Sequence, residues 1–160
     1  MAVTIALPQI KEIADTLTDL LGKKADAKAP AAALSAGAAD LYLVATYTDD
    51  QGVPVAAALC DLPFSAFASA ALAMIPLGVA KDSIKDKKLS AQLMENIKEI
   101  LNIYTSVLKP TGGRVKLGSV VEKAGLSADV NTFISRADAK KVDAELAIPA
   151  FGPGKITFLA

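Results

Sequence analysis

Histidine is missing from all 160 residues, and so is tryptophan. The first absence excludes Ser-His-Asp and Cys-His nucleophilic catalysis, imidazole acid–base chemistry and any zinc site built on histidine. Cysteine is almost missing too. The single Cys60 cannot form an internal disulfide, closes an apolar run and precedes Asp61, whose charge opposes thiolate formation, so it reads as a buried structural thiol. Net charge is also absent, with 17 basic residues against 17 acidic ones. They are scattered apart from a mild Lys81–Lys88 cluster, which leaves no basic footprint for nucleic acid. Aromatics make up only 5% of a chain that is 52% hydrophobic. The expected core is therefore made of Ala, Leu, Val and Ile, in a globular and not a disordered chain. There is no disulfide framework and no basic region leading into a leader-like apolar core, so a cytoplasmic location is expected.

The length suits one domain over residues 1–160, enough to bury a real core. Leu62–Ala80 carries no charge over a length that could span a bilayer. Pro63 and Pro76, with Ser65, Ser69 and Gly78, nevertheless confine any helix to roughly Phe64–Ile75. The expectation is a short Ala-rich buried helix with no membrane partner, N-capped by Asp61 and given bulk by Phe64, Phe67, Leu72 and Met74.

Elsewhere, apolar spacing predicts a helix over Pro8–Leu21 ending at Gly22, with Ile10, Ile13, Leu17, Leu20 and Leu21 inward. Lys23–Ala39 is poorly patterned and reads as a loop or weak helix, and Lys81–Lys88 as a solvated connector. Asp40–Thr48 and Val53–Cys60 form a hairpin around Asp49-Asp50-Gln51-Gly52. Asp49-Asp50 lacks the remaining ligands of a calcium loop, so turn chemistry is preferred there. Lys109-Pro110-Thr111-Gly112-Gly113 stops a long preceding helix, Arg114–Val121 is a strand and Ser127–Arg136 a short helix. Val142, Ala144, Leu146 and Ile148 alternate with polar residues or alanine, and Pro149–Gly154 turns the chain into a last strand. Neither Thr111-Gly112-Gly113-Arg114 nor Gly152-Pro153-Gly154-Lys155 has phosphate-loop spacing. The pattern predicts an α+β fold, with long helices packed on a largely antiparallel sheet.

One helix looks built to act on something. Wound at 3.6 residues per turn, Leu89–Leu108 places Leu93, Ile97, Leu101, Tyr104 and Leu108 in one apolar stripe. Gln92, Glu95, Glu99, Asn102 and Ser106 fall opposite, facing solvent. A Glu-x-x-Asn pair also arises by chance on many helices, and a plain solvated face is the competing reading.

Four segments in this order resemble the CheC/CheX family of chemotaxis phosphatases, which is related to the flagellar switch proteins. They are the hairpin ending in Val53–Cys60, the Phe67–Pro76 helix and turn, the Met94–Asn102 helix, and the closing Ile148–Gly154 turn. The family signature is Asp or Ser, three residues, Glu, two residues, Asn on an exposed helix; here it falls on Glu95, Glu99 and Asn102. Glu99 and Asn102 match. Glu95 replaces the usual Asp or Ser, and no proline stands near Gly125 and Leu126, where the family has one. The single motif resembles CheX-like members, which implies a homodimer.

The resemblance implies that the chain hydrolyses the aspartyl phosphate of a phosphorylated response regulator, with Glu99 and Asn102 as the catalytic pair. Gln92, Glu95 and Ser106 would border the partner. Asn102 would orient a water, since a carboxamide both donates and accepts, and Glu99 would pair with the regulator's active-site lysine. No cofactor of its own is implied; Mg2+ is expected on the regulator. Two alternatives stay open at this point, a non-catalytic binding module of the same fold in a signalling or switch assembly, and an unrelated α+β structural or small-ligand domain.

Overall fold

The computed structural model describes residues 3–160. Leu41–Thr48 (β3) and Pro54–Asp61 (β4) form the central hairpin, because their β-branched, aromatic and small apolar residues suit a strand buried on both faces. The turn reading of Asp49 holds, since its Oδ1 accepts from the Gln51 and Val53 amides, each at 2.9 Å. Strand β3 also pairs with β6 (Lys116–Glu122), and β4 with β8 (Gly152–Leu159). Strand β8 pairs with β7 (Lys141–Ile148), which pairs with β2 (Asp26–Lys28). The six-stranded sheet runs β2-β7-β8-β4-β3-β6, antiparallel throughout, and β1 (Thr4–Ala6) pairs separately with β5 (Lys109–Thr111). The expected α+β architecture is the one observed.

The two sheet faces carry different covers. Leu43, Ala45, Tyr47, Ala58, Ile156 and Phe158 join one core with the helices α1 (Ile10–Leu21), α2 (Leu62–Leu72) and α4 (Ala91–Ile103). Val44, Ala57, Leu59 and Leu159 meet Leu34 and Ile134 on the other, the latter from α5 (Ala128–Ile134). Helix α2 is the Ala-rich segment expected, capped by Asp61, which accepts from the Phe64 amide at 2.8 Å. Its buried Ser65 hydroxyl donates back to the Asp61 carbonyl at 2.8 Å, so no polar cost is left open there. It lies so close to β8 that a Cβ on Gly154 would overlap the Phe64 backbone. Among the described residues no helix is long and apolar enough to cross a membrane.

Several expectations need correcting. Met74 does not add bulk to the core; it lies beyond α2 in a left-handed conformation (φ 57°) and is 90% exposed. Part of the Lys81–Lys88 connector is helical, inside α3 (Leu77–Asp86), which buries Ala80 and Ser83. The unpatterned Lys23–Ala39 stretch contains strand β2. Lys109–Thr111 stops the preceding helix, as expected, but also pairs as β5 with a strand more than a hundred residues earlier.

Candidate functional site on helix α4

Helix α4 starts where Ser90 caps it, its side chain accepting from the Leu93 amide at 3.2 Å. Leu93, Ile97, Ile100 and Leu101 are wholly buried, and burying each such side chain is worth roughly 1.5–3 kcal/mol. That sum sets the helix's rotation. Polar pairs cannot override it, since the exposed Glu95–Lys98 ion pair at 3.7 Å contributes little. With the apolar stripe held inward, Gln92, Glu95, Glu99 and Asn102 are all exposed, as expected. At about 100° per residue they fall within roughly 80° of arc.

Glu99 and Asn102 are neighbours on this face. Three residues of helix separate their Cα atoms by about 4.5 Å along the axis, and side chains at this spacing reach one small target together. Among the described residues neither side chain takes part in a hydrogen bond or salt bridge. Glu95, at the position of altered identity, is engaged with Lys98.

Ser106 departs from its expected place. The α-helix ends at Ile103 and the chain continues as a 3₁₀ turn, Tyr104–Val107. Such a turn stacks residue i+3 above residue i, and the Ser106 hydroxyl donates to the Ile103 carbonyl at 3.0 Å. Ser106 remains exposed but is drawn off the Glu99–Asn102 line toward Ile103. Gly125 and Leu126, where the resemblance expects proline, close a second 3₁₀ turn, Lys123–Gly125.

Polar ties between layers, not legible as site residues in the sequence, hold α4 and the turn after it. Asn96 Nδ2 donates to the Ser69 carbonyl of α2 at 3.2 Å. The Tyr47 hydroxyl donates to the Leu101 carbonyl at 2.6 Å, and the Tyr104 hydroxyl to the Ile13 carbonyl of α1 at 2.7 Å. The signal available was chemical: a tyrosine at an inward position needs a partner for its hydroxyl. Burial pushes both phenols upward from their ordinary pKa, so they stay neutral donors.

An apolar pocket of about 460 Å³ lies where α2 meets α3, lined by Leu72, Ile75, Leu77 and Phe151 among others. Another of about 390 Å³ lies beside Arg136. No residue of α4 lines either. Among the described residues no cluster of three His, Cys, Asp or Glu could hold a metal. What the surface offers is a carboxylate and a carboxamide side by side on an exposed helix face.

No protein-family model matches the sequence, and no curated protein shows detectable sequence similarity to it. Solved structures do match in shape. FliM from a FliM–SpeE complex of H. pylori superposes with a TM-score of 0.66 at 8% identity, covering 94% of this chain and 80% of that one. FliY of Thermotoga maritima gives 0.56 at 10% identity, with 95% and 83% covered. A CheX–CheY–BeF3–Mg2+ complex from Borrelia burgdorferi gives 0.53 at 12% identity, with 96% and 97% covered. Shared shape over nearly the full length shows that the chain has the CheC/CheX-like fold.

Proposed function

We propose that the chain is a CheX-like phosphatase that hydrolyses the aspartyl phosphate of a response regulator in chemotaxis or two-component signalling. The observation that carries this reading is the outward Glu99–Asn102 pair, held at fixed phase on α4 with no hydrogen-bond or ion-pair partner among the described residues. Support for the class of partner comes from the CheX–CheY complex on the same fold.

The chemistry needs little from this protein. An acyl phosphate has a good leaving group, and the regulator's own lysine and Mg2+ neutralise the transferring phosphoryl group. The missing element is a water held in line with the scissile P–O bond. Asn102 supplies it, its amide donating to or accepting from the water without removing the proton. Glu99, one helical turn back, pairs with the regulator's lysine and seats the helix over the site. Water adds to phosphorus, the P–O bond to the aspartate breaks, and inorganic phosphate leaves. Gln92 and Glu95 border the contact, with Ser106 at its edge.

Phosphate release from a chemically phosphorylated regulator of the same organism tests this directly. The wild type is expected to accelerate release, and Asn102→Ala to lose about a hundredfold of that acceleration while melting within about 0.5 kcal/mol of the wild type, as exposed positions do. No acceleration across the organism's regulators overturns the enzymatic reading.

A second reading has its own support. The engaged Glu95 stands where the signature has Asp or Ser, and FliM in complexes with SpeE and with FliG shares the fold. In a non-catalytic binding module, Asn102→Ala would leave regulator turnover unchanged, and Glu99→Lys would alter binding alone.

A further inference from the structure

An α-helix leaves its last carbonyls without amide partners. In α4 the Tyr104 amide takes the Ile100 carbonyl, and the next oxygen, that of Leu101, accepts instead from the Tyr47 hydroxyl. Tyr47 projects from β3, a strand paired on both sides by β4 and β6, and is wholly buried. The donor therefore sits on a strand that is paired along both edges.

The accepting oxygen belongs to the peptide unit that leads into Asn102. That unit is planar, and it includes the Leu101 carbonyl together with the amide nitrogen and Cα of Asn102. A hydrogen bond at 2.6 Å to one end of the plane fixes where the other end lies. Two residues on, Tyr104 ties the chain to α1 through the Ile13 carbonyl and packs its ring against Phe158 at 5.3 Å between centroids. Asn102 faces water, and of the two bonds only that of Tyr47 is made to its own peptide unit. A phenylalanine at position 47 would fill the same space, but only the hydroxyl grips the peptide that carries the carboxamide.

We infer that Tyr47 is a positioning residue for Asn102, acting through the Leu101–Asn102 peptide to set where the carboxamide holds its water. The inference rests on the phosphatase reading above. It concerns placement at the scale of fractions of an ångström, to which in-line attack is sensitive.

Single-turnover and steady-state phosphate release by the wild type, Tyr47→Phe, Asn102→Ala and the double variant tests it. Tyr47→Phe is expected to lower kcat about tenfold with KM for the phosphorylated regulator within about twofold, the signature of lost transition-state alignment. In the Asn102→Ala background the same change is expected to add nothing, because the group it positions is gone. Tyr104→Phe, which gives up a comparable buried bond to α1, serves as the stability control and is expected to leave kcat within about twofold. If Tyr47→Phe does not fold, para-fluorophenylalanine at position 47 fills the hydroxyl's space without donating, and the cycle is repeated with it. An unchanged kcat in the folded variant, or an equal loss with and without Asn102, overturns the inference while leaving the phosphatase reading intact. A wild type that releases no phosphate overturns both.

Discussion

Helices α2 and α4 lie against each other in one layer, yet α2 has almost no wet side and α4 is half in water. Helix α2 buries Phe64 through Ala70 without a break, and small residues let it approach β8 and α4 closely. Helix α4 buries one stripe and keeps the opposite face free. The first offers the outside only the apolar end that borders the α2–α3 pocket; the second presents polar side chains, because its packed stripe holds a solvent-facing pair steady. Scaffold and instrument are adjacent helices that differ mainly in the period of their apolar residues.

The largest effect that would sharpen this contrast lies at the root of α2. Asp61 is 5% exposed, and burial pushes its carboxyl up to about 6, against the opposing pull of the Phe64 and Lys155 amides and the Lys155 ammonium, with Asp40 nearby adding to the rise. Its folded pKa thus exceeds the unfolded value, so the native state binds the extra proton between about pH 4 and 6. Stability from this group is present below that window and falls as pH rises through it, by on the order of 2–3 kcal/mol. Urea midpoints of wild type and Asp61→Asn across pH 4–6.5 check this; the difference between the two curves should vary with pH in that sense, and a flat difference would refute it.

Next comes Gly154. An alanine there forces its Cβ into the Phe64 backbone, and the helix or strand must shift. A loss of about 1–3 kcal/mol is expected from such overpacking, measurable as a lower melting temperature. A neutral result would mean that α2 is not seated on β8 as described. Smallest in stability, and opposite in kind, is Glu99→Lys on α4. The fold should hold within about 0.5 kcal/mol, while affinity for a phosphorylated regulator, read by titration, falls as the ion pair becomes a repulsion. Unchanged affinity would separate Glu99 from the docking face.

Much of the fold was legible. The central hairpin, helix α1, the Asp61-capped α2, and the closing β7–β8 pair were each visible because a local period or turn sequence specifies them. Segments whose structure comes from distant pairing were not. Strands β2 and β5 are three residues each and carry no pattern of their own; β7 and β1, respectively, make them strands. Helix α3 hid in a mixed Lys and Asp run beginning next to Pro76 and Gly78, and it buries only Ala80 and Ser83 fully, with Leu77 and Ile84 half-buried against the core. Met74 looked like core because it is apolar, and left the core because the chain turns left-handed there.

The site divides the same way. By itself the sequence determined that Gln92, Glu95, Glu99 and Asn102 share the outer face of α4, since a stripe of large apolar residues at helical spacing leaves the opposite face no other place to be. It also determined what chemistry that face lacks, having no histidine to offer. Only the tertiary structure decided where α4 stops, and with that the displacement of Ser106 toward Ile103. It alone joined Tyr47 to the Leu101 carbonyl across 54 residues of chain, because a hydrogen bond between layers exists only once both layers are packed.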